Sequence, residues 1–162
     1  MQLPLVVALA VAIVSGASGC GAGRSVMTPT LPAVVTAAAS APAFKLVRVS
    51  DERVFQAKPP QANIPSLDAD DIDDAALKAR AIGRKRGSFG KARGDIVLPA
   101  DGSVTDVAAA CVRTALARAG GVLVNEADPR FVDARPLELR VRRFWSWLRP
   151  GAWQVQVEFD AE

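Results

Sequence analysis

The 162-residue chain has no histidine, no tyrosine and only two cysteines, Cys20 and Cys111. Without histidine, the usual base that activates a serine or cysteine nucleophile is missing. Two cysteines cannot build a disulfide framework or a cysteine-only zinc site. Carboxylates are plentiful, but they fall in one acidic run or on the polar face of a hairpin. Nothing sets two of them across a cleft, as glycoside hydrolysis requires. Net charge is only +3, which is too mild to define a partner. These absences argue against an ordinary enzyme, so no catalytic residue, metal site or cofactor is expected.

What is present begins with an address. Residues 2–19 form an uncharged, mostly apolar run that ends in small residues. The run is short for a membrane span and reads as a secretory signal, although no Lys or Arg precedes it. Its end, Ala17-Ser18-Gly19-Cys20, resembles a bacterial lipobox, with Ala17 where such boxes usually carry leucine. The resemblance implies that Cys20 is acylated, and two or three acyl chains anchor firmly. Gly21 follows, with no Asp to imply inner-membrane retention, so the implied address is the periplasmic face of the outer membrane. The plainer reading is a simple signal peptide with an incidental cysteine. Residues 20–43, rich in Ala, Pro and Ser, read as a flexible tether. Residues 44–162 then form one α/β domain.

The densest information lies in residues 137–160, LELRVRRFWSWLRPGAWQVQVEFD, which carry all three tryptophans. Apolar and polar residues alternate on both arms, and Pro150-Gly151 marks a turn, so this is a β-hairpin. Arg143 interrupts the first arm. A two-residue turn would set Trp147 against Gln154, one arm's apolar face against the other's polar face. An odd-length loop is therefore expected, with Trp147 facing Trp153, Trp145 facing Val155 and Val141 facing Phe159. Arg142 then meets Glu158, and Arg140 meets Asp160. Phe144, Trp145, Trp147 and Trp153 form a candidate aromatic patch for a partner. The plainer reading places the tryptophans at the edge of the core. Phe144 falls on the polar face and is the expected exposed contact.

Between these ends, residues 44–49 alternate like a strand and residues 56–66 form a Pro-rich loop. Five aspartates in DADDIDD lack the central Gly and distal Glu of a calcium loop. They read as an acidic helix start, with a helix over residues 71–82. Residues 83–94, GRKRGSFGKARG, are basic and glycine-rich. Arg84, Lys85, Arg86, Lys91 and Arg93 are candidate anion or partner contacts. Behind a signal peptide no nucleic-acid partner is expected, and lipid head groups, lipopolysaccharide phosphates or an acidic protein are the expected anions. The plainer reading is a solvated loop balanced by the aspartates. Residues 95–98 form a strand. Ser103-x-x-Asp106 opens a helix over residues 104–119, closed by Gly120-Gly121, with Cys111 as a small core residue. Residues 122–125 form another strand.

Taken together, the lipobox, KLVRVSDER, IGRKRGSFGKARGD, DIVLPADGSVTDVAAACVRTALARAGG and RRFWSWLRPGAW resemble small bacterial outer-membrane lipoproteins of the YajG-like, function-unassigned type. The resemblance spans residues 44–159. It implies a lipid-anchored periplasmic domain with no catalytic residues to carry over, and a further strand after the hairpin. The expected fold is α/β (α+β): a single mixed sheet of about five strands, with two helices on one face and the Trp-rich hairpin at the C-terminus. Two functions remain open. One is an accessory lipoprotein that binds another envelope protein through the hairpin edge. The other is a module for anionic lipid or glycolipid that uses the basic loop.

Overall fold

The computed structural model describes residues 23–31, 33, 38, 40–87, 90–149 and 152–162. The expected signal segment, Cys20, the Ser88-Phe89 pair and the Pro150-Gly151 turn lie outside the described residues. Seven strands form one mixed sheet: β1 Ser25–Val26, β2 Ala43–Asp51, β3 Ala81–Arg86, β4 Ala92–Val97, β5 Val122–Leu123, β6 Arg135–Arg149 and β7 Ala152–Ala161. Two helices accompany it, α1 Ala75–Arg80 and α2 Val104–Arg118. The mixed α/β class is the one the sequence indicates. The sheet gains β1 and β3 over the expected set.

The strand order is β1-β4-β3-β6-β2-β5, with β7 attached to β6. β6 is the hub. β7 pairs along its outer edge from Leu139 to Arg149. The inner edge is shared end to end: β2 pairs in parallel with Arg135 to Val141, and β3 with Ser146 and Trp147. β4 runs antiparallel to β3, and β5 parallel to β2. The run from β4 through α2 to β5 therefore reverses direction.

The seam where β2 stops and β3 begins is filled by a side chain. Arg53 is buried, and its guanidinium grips Asp51 with Nε at 2.8 Å and Nη2 at 2.7 Å. The same group donates to the carbonyls of Ala81 at 2.6 Å, Lys78 at 2.6 Å and Phe144 at 3.2 Å. Backbone acceptors that an interrupted sheet would orphan are satisfied this way.

α2 begins where the sequence places it. Ser103 caps it, accepting from the Asp106 backbone N–H at 3.1 Å. Gly120, at φ 80°, lies just past its end in the left-handed region that glycine tolerates. Val104, Val107, Ala108 and Cys111 pack against Leu139, Val141 and Phe144 of β6. Cys111 is thus the small core residue expected, and burial raises its thiol pKa.

α1 is shorter than the expected 71–82. Asp74 caps it at Leu77, with a 2.9 Å bond, and the chain turns extended at Ala81. From there Ala81 and Ile82 alternate between two cores, which is strand periodicity. Leu77 packs with Leu67, Trp145 and Trp147, in a different core from the one under α2. The helices therefore serve opposite faces of the sheet rather than one. Among the described residues no long helix covers the second face. Phe55, just before the Pro-rich loop, and Ala62 within it close it with α1.

Part of the expected tether is built into the sheet. β1 pairs in parallel with β4, and Gly23 N–H donates to Arg93 O at 2.7 Å. Gly94 makes this approach possible, because a Cβ there would collide with the Gly23 carbonyl. Arg24 adds an ion pair to Asp71 at 2.9 Å.

Candidate partner-binding surface

The hairpin settles in a register the alternation alone argues against. Arg149 pairs with Ala152, Trp147 with Gln154 and Trp145 with Gln156. Only Pro150 and Gly151 separate the arms, so the expected odd-length loop is not formed. The reason lies in the first arm. The ladder steps from Val141–Phe159 to Arg143–Glu158, leaving Arg142 as an extra, bulged residue. A bulge inverts the parity of every side chain beyond it. Below it the expected pairs Arg140–Asp160 and Val141–Phe159 hold. Above it Phe144 takes over the face of Leu139 and Val141, and Trp145 and Trp147 turn to the other side.

This corrects the aromatic patch. Phe144 is only 4% exposed and packs under α2. It is not an exposed contact. Trp145 and Trp147 are buried in the second core. Trp145 stacks edge-on against Phe55 at 5.9 Å and donates its indole N–H to Ala62 O at 3.1 Å. Of the four, only Trp153 is left at the surface.

What the hairpin does expose is a different group. Leu148 is 48% exposed, Trp153 40% and Val155 38%. Leu148 pairs with Trp153 and Ser146 with Val155, so the three share the face of Phe144. They lie beyond the reach of α2, at the distal end of the hairpin. The arms beneath are tied by the bulged Arg142 and its neighbour Arg143. Arg142 binds Asp160 at 2.8 Å and also contacts Glu52, while Arg143 lies 3.3 Å from Glu158. Trp153 was legible from sequence. Leu148 and Val155 were not, because their exposure depends on where the bulge falls. The arginine that interrupts the alternation was the available signal.

The basic stretch is not an open loop. β3 and β4 form an antiparallel hairpin across it. Gly83 is needed there because a Cβ would collide with Ser146 on β6. Arg84 points inward, only 2% exposed, and contacts Asp68 and the buried Asp95. Arg84 Nε and Asp95 Oδ1 have no hydrogen-bond partner among the described residues and face each other at 3.5 Å. Burial raises the Asp95 carboxyl pKa, against the pull of Arg84. Arg86 is half-buried and donates to Ser66 Oγ at 3.3 Å and Gly90 O at 3.2 Å. Its own pKa is lowered, first by burial and then by Arg84. Lys85 is half-buried, while Lys91 and Arg93 are exposed. The five cations therefore do not converge on one anion.

The acidic run serves the same hairpin: Asp68 meets Arg84, Asp71 meets Arg24 and Asp74 caps α1. An open depression of about 610 Å³ lies beside it, lined by Arg24, Asp68, Asp71, Arg93 and Asp95 among others. Its walls carry both signs of charge. Among the described residues no three carboxylates or cysteines gather as a metal site, and no helix is long and apolar enough to cross a membrane. Comparison with models of known protein families, with curated proteins and with solved structures finds no match for this chain.

Proposed function

We propose that this protein is a lipid-anchored, non-enzymatic accessory protein of the bacterial cell envelope. Cys20 carries the anchor at the periplasmic face of the outer membrane, and the domain binds another envelope protein. This reading extends the resemblance to YajG-like lipoproteins. One observation carries the binding step: Leu148, Trp153 and Val155 stand exposed together on a hairpin stiffened by ion pairs. An apolar cluster with a tryptophan at its centre, rimmed by charge, has the composition of an interaction hot spot. The basic cluster is a weaker candidate, since Arg84 is buried against carboxylates.

The test has two arms. Metabolic acyl labelling should mark the wild type and not Cys20→Ser, and membrane retention should vanish with the label. A photo-crosslinking residue at Leu148 should give one discrete envelope-protein adduct, abolished by Val155→Glu. Absence of label in the wild type sinks the anchor. Absence of an adduct sinks the binding surface.

A second reading, contact with anionic headgroups, is favoured by one observation. Gly23 is fixed to Arg93 only three residues after Cys20. An anchor there would hold Lys91 and Arg93 within ~20 Å of the acyl chains' attachment point. Binding of the Cys20→Ser chain to anionic vesicles should then fall steeply with salt, whereas the protein contact should not.

A further inference from the structure

The outer edge of β7 is the longest unpaired backbone in the described structure. β7 spans ten residues and pairs with β6 alone. Natural sheets protect such edges with lysine, proline, bulges or a covering element. β7, AWQVQVEFDA, contains no lysine, arginine or proline. The bulge of this hairpin is in β6, so β7 itself runs straight.

The edge is also self-complementary. Glu162 exchanges both backbone bonds with Glu138. Alternating back along β7, Trp153, Val155, Val157 and Phe159 turn their N–H and C=O groups outward. A second β7 laid antiparallel about a two-fold axis at Gln156 pairs Val155 with Val157 and Trp153 with Phe159. On the opposite face Gln154 meets Glu158, an amide donor against a carboxylate, and Gln156 meets itself. No like charges oppose each other. A shift of one residue sets apolar against polar. A shift of two sets Trp153 against Ala161 in one direction or Val157 in the other, and loses the aromatic pair either way.

We infer that the partner of this edge is a second copy of the chain, joined through β7 about a two-fold axis at Gln156 into one continuous fourteen-stranded sheet (twice the seven strands of one copy). The interface is isologous, each residue pair occurring twice. It uses the backbone edge of β7 and leaves the face of Leu148 free, so it goes beyond the envelope-partner reading and does not depend on Cys20. Across the axis the apolar faces merge, and Trp153 and Val155 of one copy continue into Val157 and Phe159 of the other.

The experiment uses full-length chain carrying Cys20→Ser, in mild detergent, with single cysteines introduced by Gln154→Cys, Gln156→Cys or Val157→Cys. Residue 156 forms a non-hydrogen-bonded pair with itself, where Cα atoms approach to ~4.5 Å, within disulfide range. Gln156→Cys should oxidise to a covalent dimer, and Gln154→Cys should not. Cys111 is buried and does not compete. In the same chain without added cysteines, sedimentation should show a monomer–dimer equilibrium. Val155→Pro removes an N–H that faces outward, so it spares the β6–β7 ladder. It should raise the dimer dissociation constant at least ~10-fold, and Val155→Lys should do the same if proline perturbs the fold. A monomer at every concentration overturns the proposal. So does cross-linking at Val157→Cys with none at Gln156→Cys, which would place the axis elsewhere.

Discussion

The molecule contains two hairpins that invert each other's composition. The β3–β4 hairpin is rich in cations and looks, as sequence, like a surface. Its central cation, Arg84, is buried against Asp95. The β6–β7 hairpin is rich in tryptophan and looks like core. Its distal end, Leu148, Trp153 and Val155, is exposed. The difference teaches that residue type does not decide which side chains are available to a partner. Parity along the strand decides it, together with what closes each face. In the first hairpin, Gly83 lets β3 press onto β6 and carries Arg84 inward. In the second, the bulge at Arg142 turns two tryptophans under the Pro-rich loop and lifts Leu148 out.

The comparison breaks most completely if the parity set at the bulge is shifted by one residue. An alanine inserted between Arg143 and Phe144 turns Phe144 out from under α2 and carries Trp145 and Trp147 to the opposite face. The chain should lose its cooperative urea transition and its near-UV tryptophan signal. A variant that keeps both would show that the bulge does not set the parity.

Next come the tryptophans themselves. Trp145→Ala should cost about 3–5 kcal/mol in urea denaturation, the usual penalty for emptying a packed aromatic site. Trp153→Ala should cost under ~1 kcal/mol, as surface changes do. Equal losses would place both residues in the same environment and dissolve the contrast.

In the basic hairpin, Arg84→Met should destabilise by about 3 kcal/mol, because it strands Asp95 without its buried cation. Lys91→Ala should stay within ~0.5 kcal/mol. Adding Asp95→Leu to Arg84→Met should restore most of the loss. A chevron or urea series on the three variants reads all of this.

The smallest effects concern pH, and two aspartates should move oppositely. Asp95 has a folded pKa raised above its unfolded 3.8 by burial. The native state therefore binds its proton more tightly, and Asp95 lowers stability as pH climbs from the unfolded value through the folded one. Asp128 is held down to about 2 by its hydrogen bonds to Arg130. Its contribution is present above 3.8 and is lost as pH falls towards 2. Carboxyl NMR titrations should give midpoints on opposite sides of 3.8. Two midpoints on the same side would refute the assignment.

Much of the fold was legible where local rules dominate. The Ser103 cap, the spacing of Val104, Val107 and Cys111, and the strand at β2 follow from periodicity and capping. Cross-strand register was legible only up to Val141, because a bulge is a tertiary choice that changes parity without changing composition. β3 was hidden for a related reason. Glycines and arginines suggest a loop until a neighbouring strand supplies a face for Gly83 and an acid for Arg84. Arg53 was invisible as a structural residue, since its three carbonyl acceptors come from Lys78, Ala81 and Phe144, far away in sequence. Of the candidate site, Trp153 could be named in advance. Its companions depended on the bulge.

The position of β6 has a consequence in time. It is the hub of the sheet, yet it begins 84 positions after the end of β2 and 49 after the end of β3. β2 and β3 have no strand partner on that side until it arrives, and each pairing must close a long stretch of chain. A growing polypeptide therefore cannot complete this sheet until β6 has been synthesised. For a protein proposed to cross a membrane unfolded, this ordering is protective. It keeps the earlier strands threadable until β6 is made, and then lets them close on it together.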